Sequence, residues 1–315
     1  MAQTGKKHHR RKPEEGFFDI VNFLLNQSEE SYAHIDNELF GKEIFKNRNV
    51  TLQYENNSSI KSQEMLTSIN SGHLEVIRIL LKCGADINSV NSGGYTALMY
   101  AAKNKHHEVT RMLLKSGADT NSADSFGNTA LIFAARGGHH EMTRMLLESG
   151  AYTNSADSYG NTALMLAAEN GDHEVTRILL ESGADTDAAD SDGNTALILA
   201  AENIHHEVTR ILLESEAKIN HQNIRGETAM SVAASHGYVN IVRLLLQFNP
   251  NISLQDQNGR TALFLAEERM HQEIVDLLRE LLHHQLEFNY DHFKVKLLLR
   301  LEEAYHTCRY YLNLF

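Results

Sequence analysis

From residue 94 onward, short apolar runs return at a fixed spacing. Each is followed by a polar break and a second apolar stripe. The runs "TALMYAA", "TALIFAA", "TALMLAA" and "TALILAA" begin at Thr96, Thr129, Thr162 and Thr195. The stripe that follows reads "EVTRMLL" or a near copy. In it Val109, Met112 and Leu113 fall at i, i+3 and i+4, the spacing of a buried helix face. Two short helices per unit are therefore predicted. Thr129, Thr162 and Thr195 stand just before an apolar run, where a hydroxyl oxygen accepts an unpaired N–H of the first helical turn. Gly117, Gly150 and Gly183 follow the second helix, where a left-handed residue ends it. Asp124, Asp157 and Asp190 open tight turns with Gly127, Gly160 and Gly193 in the fourth place. The pair Ala134–Ala135 and its copies are small enough for neighbouring helices to approach closely.

Gly94, Gly127, Gly160, Gly193, Gly226 and Gly259 are 33 residues apart. A fixed period of this size marks a repeat architecture. One such unit cannot bury its own apolar stripe and needs a neighbour of matching shape. Near-copies supply that match, and the units across 94–192 are alike enough that duplication is the simplest account. The pattern, a "D-S-x-G-N" turn, "T-A-L-x-x-A-A", then "H-E-V-T-R-x-L-L-x-S-G-A-D", resembles the ankyrin repeat family. The resemblance implies an all-α ankyrin-repeat solenoid, each unit a β-turn and two antiparallel helices, with helical caps at both ends. The family usually carries "T-P-L-H"; here the Pro and His are absent throughout, and with them the loop contacts that the His makes.

The resemblance covers residues 61–282, about seven repeats. The first, at 61–93, keeps "SGHLEVIRILLKCGADIN" but is expected to lack the "T-x-L-x-x-A-A" helix. Other departures sit at helix ends. Glu216 and Asn249 take the place of the helix-ending Gly, at a cost of about 1 kcal/mol for a glutamate held left-handed. Lys105 and Ile204 replace the Gly of "G-H-x-E". Residues 1–16 read as a basic disordered tail, 17–60 as an N-terminal cap helix with an insertion, and 283–315 as a C-terminal helical extension. In the last segment Phe293, Leu297, Leu301, Ala304 and Cys308 share one helical face.

The net charge is −12, although Lys6, Lys7, Arg10, Arg11 and Lys12 make the first residues basic. An acidic body repels phosphate backbones, so nucleic acid is not expected as the main ligand. The basic tail also fits a nuclear-import signal or an RNA-touching arm. No run of eighteen apolar residues exists, so no membrane span is predicted. Two cysteines far apart suggest a reducing compartment, the cytoplasm.

"HHEVTR" invites comparison with the zinc signature H-E-x-x-H, but its last place is Arg111, Arg144, Arg177 or Arg210. His107, His140, His173 and His206 would recur about 8–10 Å apart along the stack. Zinc ligands must lie about 2 Å from a single metal, so no metal is expected. Glu108 with Arg111 reads instead as an i,i+3 surface pair. No catalytic residue, no cofactor and no enzyme activity is predicted, since no nucleophile or phosphate-loop motif appears. An enzyme built from the non-repeat ends is the least favoured alternative.

The ankyrin resemblance implies partner binding on a concave face made of turn tips and inner-helix ends. On the turns these positions are Tyr95, Ser125, Phe126, Asn128, Ser158, Tyr159, Asn161, Asp192, Asn194, Arg225 and Glu227. On the inner helices they are Lys103, Asn104, Arg136, Glu169, Asn170, Glu202, Asn203, Ser235 and His236. Tyr95, Phe126 and Tyr159 are the expected anchors, because exposed aromatics concentrate binding energy. Glu169, Asp190, Asp192 and Glu202 form an acidic stretch. The expected function is a protein–protein interaction module, an adaptor or scaffold, monomeric by itself, with another protein as its partner. A second reading is suggested by scarce Pro, by Glu302–Glu303 and by the end "YYLNLF". These are similar to ankyrin-type effectors that intracellular bacteria such as Legionella and Coxiella secrete through a type IV system. That reading places the protein in a host cell's cytoplasm or nucleus.

Overall fold

A computed structural model describes residues 62, 65–69, 74–82 and 84–283. The basic tail, the N-terminal cap, the C-terminal extension beyond residue 283, Cys83 and Cys308 lie outside the described residues. The chain divides between Asp185 and Thr186 into two compact units.

The first unit holds α1 (Leu74–Lys82), α2 (Ala97–Lys103), α3 (His107–Lys115), α4 (Ala130–Arg136), α5 (His140–Glu148), α6 (Ala163–Glu169) and α7 (His173–Glu181). The second holds α8 (Ala196–Glu202), α9 (His206–Glu214), α10 (Ala229–His236), α11 (Val239–Leu246) and α12 (Ala262–Glu268), followed by helical residues 272–283. Among the described residues the only β-structure is isolated bridges such as Val90–Thr96. The fold is thus an all-α repeat stack. The inner helices α2, α4, α6, α8 and α10 each pack on the outer helix that follows, and within each unit inner helices pack on inner and outer on outer.

The inner helices are buried almost all round. Ala130, Leu131, Ile132, Ala134 and Ala135 are 2% exposed or less. The outer helices bury one stripe, Val109, Thr110 and Leu113 in α3, whereas Met112 is only half-buried. The buried threonines of this stripe are mostly satisfied locally: Thr143 Oγ1 donates to the His139 carbonyl at 3.1 Å and Thr176 Oγ1 to that of Asp172 at 2.7 Å. Thr110 Oγ1 is buried without a partner.

The turns follow the predicted chemistry. Asp124 Oδ1 accepts from the backbone N–H of Phe126 and of Asn128, and Gly127 N–H closes the turn onto the Asp124 carbonyl at 3.0 Å. Neighbouring turns are stitched by the backbone: Ser125 N–H reaches the Gly93 carbonyl and Ser158 N–H that of Phe126. Gly127 is required twice over. Its φ is +78°, and a Cβ there would lie 3.0 Å from the Ser158 nitrogen. Within each unit a second seam joins successive repeats. The Oδ1 atoms of Asn88, Asn121 and Asn154 accept the N–H of Asp119, Tyr152 and Asp185 in the first unit. Asp187 and Asn220 do the same for Lys218 and Asn251 in the second.

Two expectations need correction and a third holds. Thr129 and Thr162 cap their helices, accepting from Ile132 N and Met165 N, but Thr195 makes no such bond and its buried hydroxyl has no partner. The first repeat forms helical residues 65–69 without the expected motif, because Met65, Leu66 and Ile69 are buried as the motif's own residues are. Left-handed backbone persists where glycine is replaced: φ is 64° at Glu216, 53° at Asn249, 60° at Lys105 and 63° at Ile204. The helix end at Glu216 is closed by backbone bonds, Glu216 N–H to the Leu213 carbonyl and Ala217 N–H to that of Leu212, and at the matching Gly117, Gly150 and Gly183 an added Cβ would meet open space, so a side chain fits there.

Candidate functional site

The first unit carries a groove of ≈ 660 Å³ between its turn tips and inner helices. Tyr95, Lys103, Phe126, Asn128, Phe133, Arg136, Gly137, Asp157, Tyr159 and Asn161 line it. The turns before α2, α4 and α6 supply Tyr95, Phe126, Asn128, Asp157, Tyr159 and Asn161; the C-terminal ends of α2 and α4 supply Lys103 and Arg136.

The floor is aromatic. The Tyr95 ring lies 5.3 Å from that of Tyr100 and 5.4 Å from that of Phe133. Lys103 Nζ stands 5.5 Å from the Tyr95 ring centre and 5.7 Å from that of Phe133. Such a cation is attracted to the negative faces of the rings. Burial raises the Tyr95 pKa above its ordinary value, helped by the charge of Asp124 and a hydrogen bond to it. The phenol therefore stays neutral across physiological pH. On the wall, Arg136 Nη2 donates to Asn128 Oδ1 at 3.2 Å and to Asp157 Oδ2 at 3.4 Å. The rim is apolar and open: Phe126 is 56% exposed and Tyr159 63%.

Tyr95 is therefore not a free tip. It sits one residue past Gly94, at the place that Asn128 holds after Gly127, and its ring is packed on its neighbours. The asparagines also hold the turns from within. Asn128 donates to both oxygens of Asp124, Asn161 to Asp157 and Asn194 to Asp190. Their amides serve the turn, because a buried carboxylate needs donors.

Other predicted positions of the first unit lie outside the groove lining. Ser125 and Ser158 are exposed, and Ser125 Oγ donates to the Gly93 carbonyl. Asn170 donates to the Arg136 carbonyl; Asn104 and Glu169 are exposed. The remaining predicted residues belong to the second unit. There Asp192, Glu202 and Asn203 are exposed, and Asn203 donates to the Leu199 carbonyl. Arg225 Nε donates to Glu227 Oε2 at 2.6 Å. Burial of Glu227 pushes its pKa up, but the Asn223 and Arg225 donors outweigh this and hold it below the ordinary value. Ser235 is buried, with Oγ bonded to the Val232 carbonyl, and His236 is exposed.

Phe133 and Asp157 line the groove and were not among the predicted binding residues. One signal for Phe133 was available: an aromatic stands where the copies have Leu166 and Leu199.

The paired histidines have separate tasks. His139 Nδ1 donates to the Ala102 carbonyl at 3.0 Å, and His271 Nε2 to that of Ser235 at 3.1 Å, each tying one repeat to the inner helix before it. His107 Nδ1 meets Glu141 at 3.0 Å. Among the described residues no group of three or more His, Cys, Asp or Glu is placed to hold a metal ion. The predicted Glu108–Arg111 pair forms, and Arg111 also reaches Glu141 at 3.5 Å. No described helix is long and apolar enough to cross a membrane.

Stacked helix pairs, tied by turn and seam hydrogen bonds, define a repeat protein. The family model described as ankyrin repeats (3 copies) matches residues 14–124, 64–157, 153–223 and 218–292. The chain belongs to the ankyrin repeat family, whose repeats generally serve as protein–protein interaction modules. A comparison with curated proteins finds no match.

Proposed function

We propose that this chain is an interaction module, an adaptor or scaffold whose repeat domain at 61–282 grips a partner protein in the groove of the first unit. One observation carries the reading. Phe126 and Tyr159 stand largely exposed on adjacent turns, both lining a groove that Tyr95 and Phe133 also line. Large rings at a half-open groove gain much on being covered and lose few rotamers. The turns beneath them are held by Asp124 and Asp157, so the rings are presented on fixed backbone.

The test is a double variant, Phe126→Ala with Tyr159→Ala, used as bait beside the unaltered chain. A partner captured by the unaltered chain should be lost or weakened about tenfold or more. The melting temperature should stay nearly unchanged, since both side chains are mostly exposed. Undiminished capture would remove this groove as the binding surface.

A further inference from the structure

The groove has a charge as well as a shape. Seven residues after each turn threonine the repeats carry Lys103, Arg136, Glu169, Glu202, Ser235 and Glu268. Four residues after it they carry Tyr100, Phe133, Leu166, Leu199, Val232 and Leu265. Repeats that otherwise copy one another thus become basic and aromatic together at the same two members. Those two members meet in the groove.

The cations there are poorly neutralised. Lys103 Nζ rests on two aromatic faces, and among the described residues no carboxylate lies within 4.0 Å of it. Elsewhere Lys218 meets Asp187 at 3.0 Å and Arg243 meets Glu273 at 2.8 Å. Arg136 has one acid, Asp157, at 3.4 Å, and is itself 43% exposed. Two cations therefore face one lining carboxylate, in a chain whose net charge is −12.

We propose that the groove accepts an acidic segment of a partner protein. A carboxylate sits between Lys103 and Arg136, and a neighbouring aromatic or large aliphatic side chain covers Phe126 and Tyr159. This rests on the interaction-module reading and adds the chemistry of the partner. Charge-assisted bonds from guanidinium and ammonium are the strong ones, and they strengthen as the bound side chain excludes water. A nucleic-acid strand would also offer anions and stacking rings. The acidic chain disfavours it, because each further phosphate outside the groove meets negative surface.

The experiment titrates the full chain with labelled peptides Gly-Phe-X-X-Phe-Gly, X being Glu, Gln or Lys, and with an eight-nucleotide single-stranded RNA. The Glu peptide should bind about tenfold more tightly than the Gln peptide, the range expected for a hydrogen bond to a charged group. Lys103→Glu should shift preference toward the Lys peptide, an outcome that misfolding cannot produce. Equal binding of Glu and Gln peptides, or tighter binding of the RNA, overturns the proposal. If both peptides bind equally and both need Phe126 and Tyr159, the groove stands and its charge preference falls. If no peptide depends on those rings, the proposal and the reading beneath it fall together.

Discussion

Two turns of this protein use one backbone and different chemistry. In the turn at 124–128, Asp124 accepts from Phe126 N–H and Asn128 N–H, and the tip is an exposed ring. In the turn at 223–227, Asn223 accepts from Arg225 N–H and Glu227 N–H, and the tip is an arginine paired with Glu227. What the two first positions share is one oxygen aimed at two N–H groups; the second side-chain atom accepts from Asn128 in one turn and donates to Glu227 in the other. The tip is left free to be ring, acid or base. The fixed backbone and the variable side chain are thus carried by residues two apart in one turn, the second being the position where the proposed recognition would act.

The largest effect should come from removing the shared oxygen. Asp124→Ala leaves Phe126, Asn128 and the Asn128 amide without their acceptor, and should lower unfolding free energy by about 2–4 kcal/mol. Asp124→Asn should cost less, since Asn223 offers the same oxygen to two N–H groups, but it still loses the Oδ2 that accepts from the Asn128 amide. Urea denaturation of both variants checks this; equal losses would break the comparison. A middle-sized contrast concerns the caps. Thr129→Ala should cost about 1 kcal/mol, because it removes the bond to Ile132 N. Thr195→Ala should cost nearly nothing, because its hydroxyl is buried without a partner. Equal melting shifts for the two would show that the hydroxyls act through something other than capping.

The smallest effect is a pH dependence. Burial holds the His139 pKa below its ordinary value; the neighbouring Lys105 and His107 push the same way, while its bond to Ala102 and the charge of Asp172 oppose it. An unfolded histidine titrates near about 6.5, so between the two values the unfolded chain binds more protons. The contribution of neutral His139 is complete above that pH and declines as pH falls through the folded value. His139→Gln keeps an N–H for the Ala102 carbonyl and should flatten this part of the decline. An unchanged stability–pH slope would assign the decline to other groups.

Much of the fold was legible in the sequence because the repeat writes its own rules six times over. The 33-residue glycine period, the turn aspartates and the helix-ending glycines each mark a local geometry that neighbours reinforce. The first repeat's inner helix was not legible, because "EMLTSI" fits by burial and not by motif. The groove was half legible. Variable positions pointed to Lys103, Phe126, Arg136 and Tyr159, but not to which side chains are spent inside the turn. Asn128, Asn161 and Tyr95 look like exposed polar or aromatic tips on paper. Only three-dimensional neighbours, Asp124, Asp157 and Phe133, show that they face inward.

The seam bonds have a consequence for synthesis. The Asn121 side chain finds its partner only when Tyr152 arrives, 31 residues later. Every such bond spans the same short stretch, so none of these seam bonds waits for the far end of the chain. The protein can fold while it is still leaving the ribosome, one cassette at a time, with each new cassette setting on the one just finished.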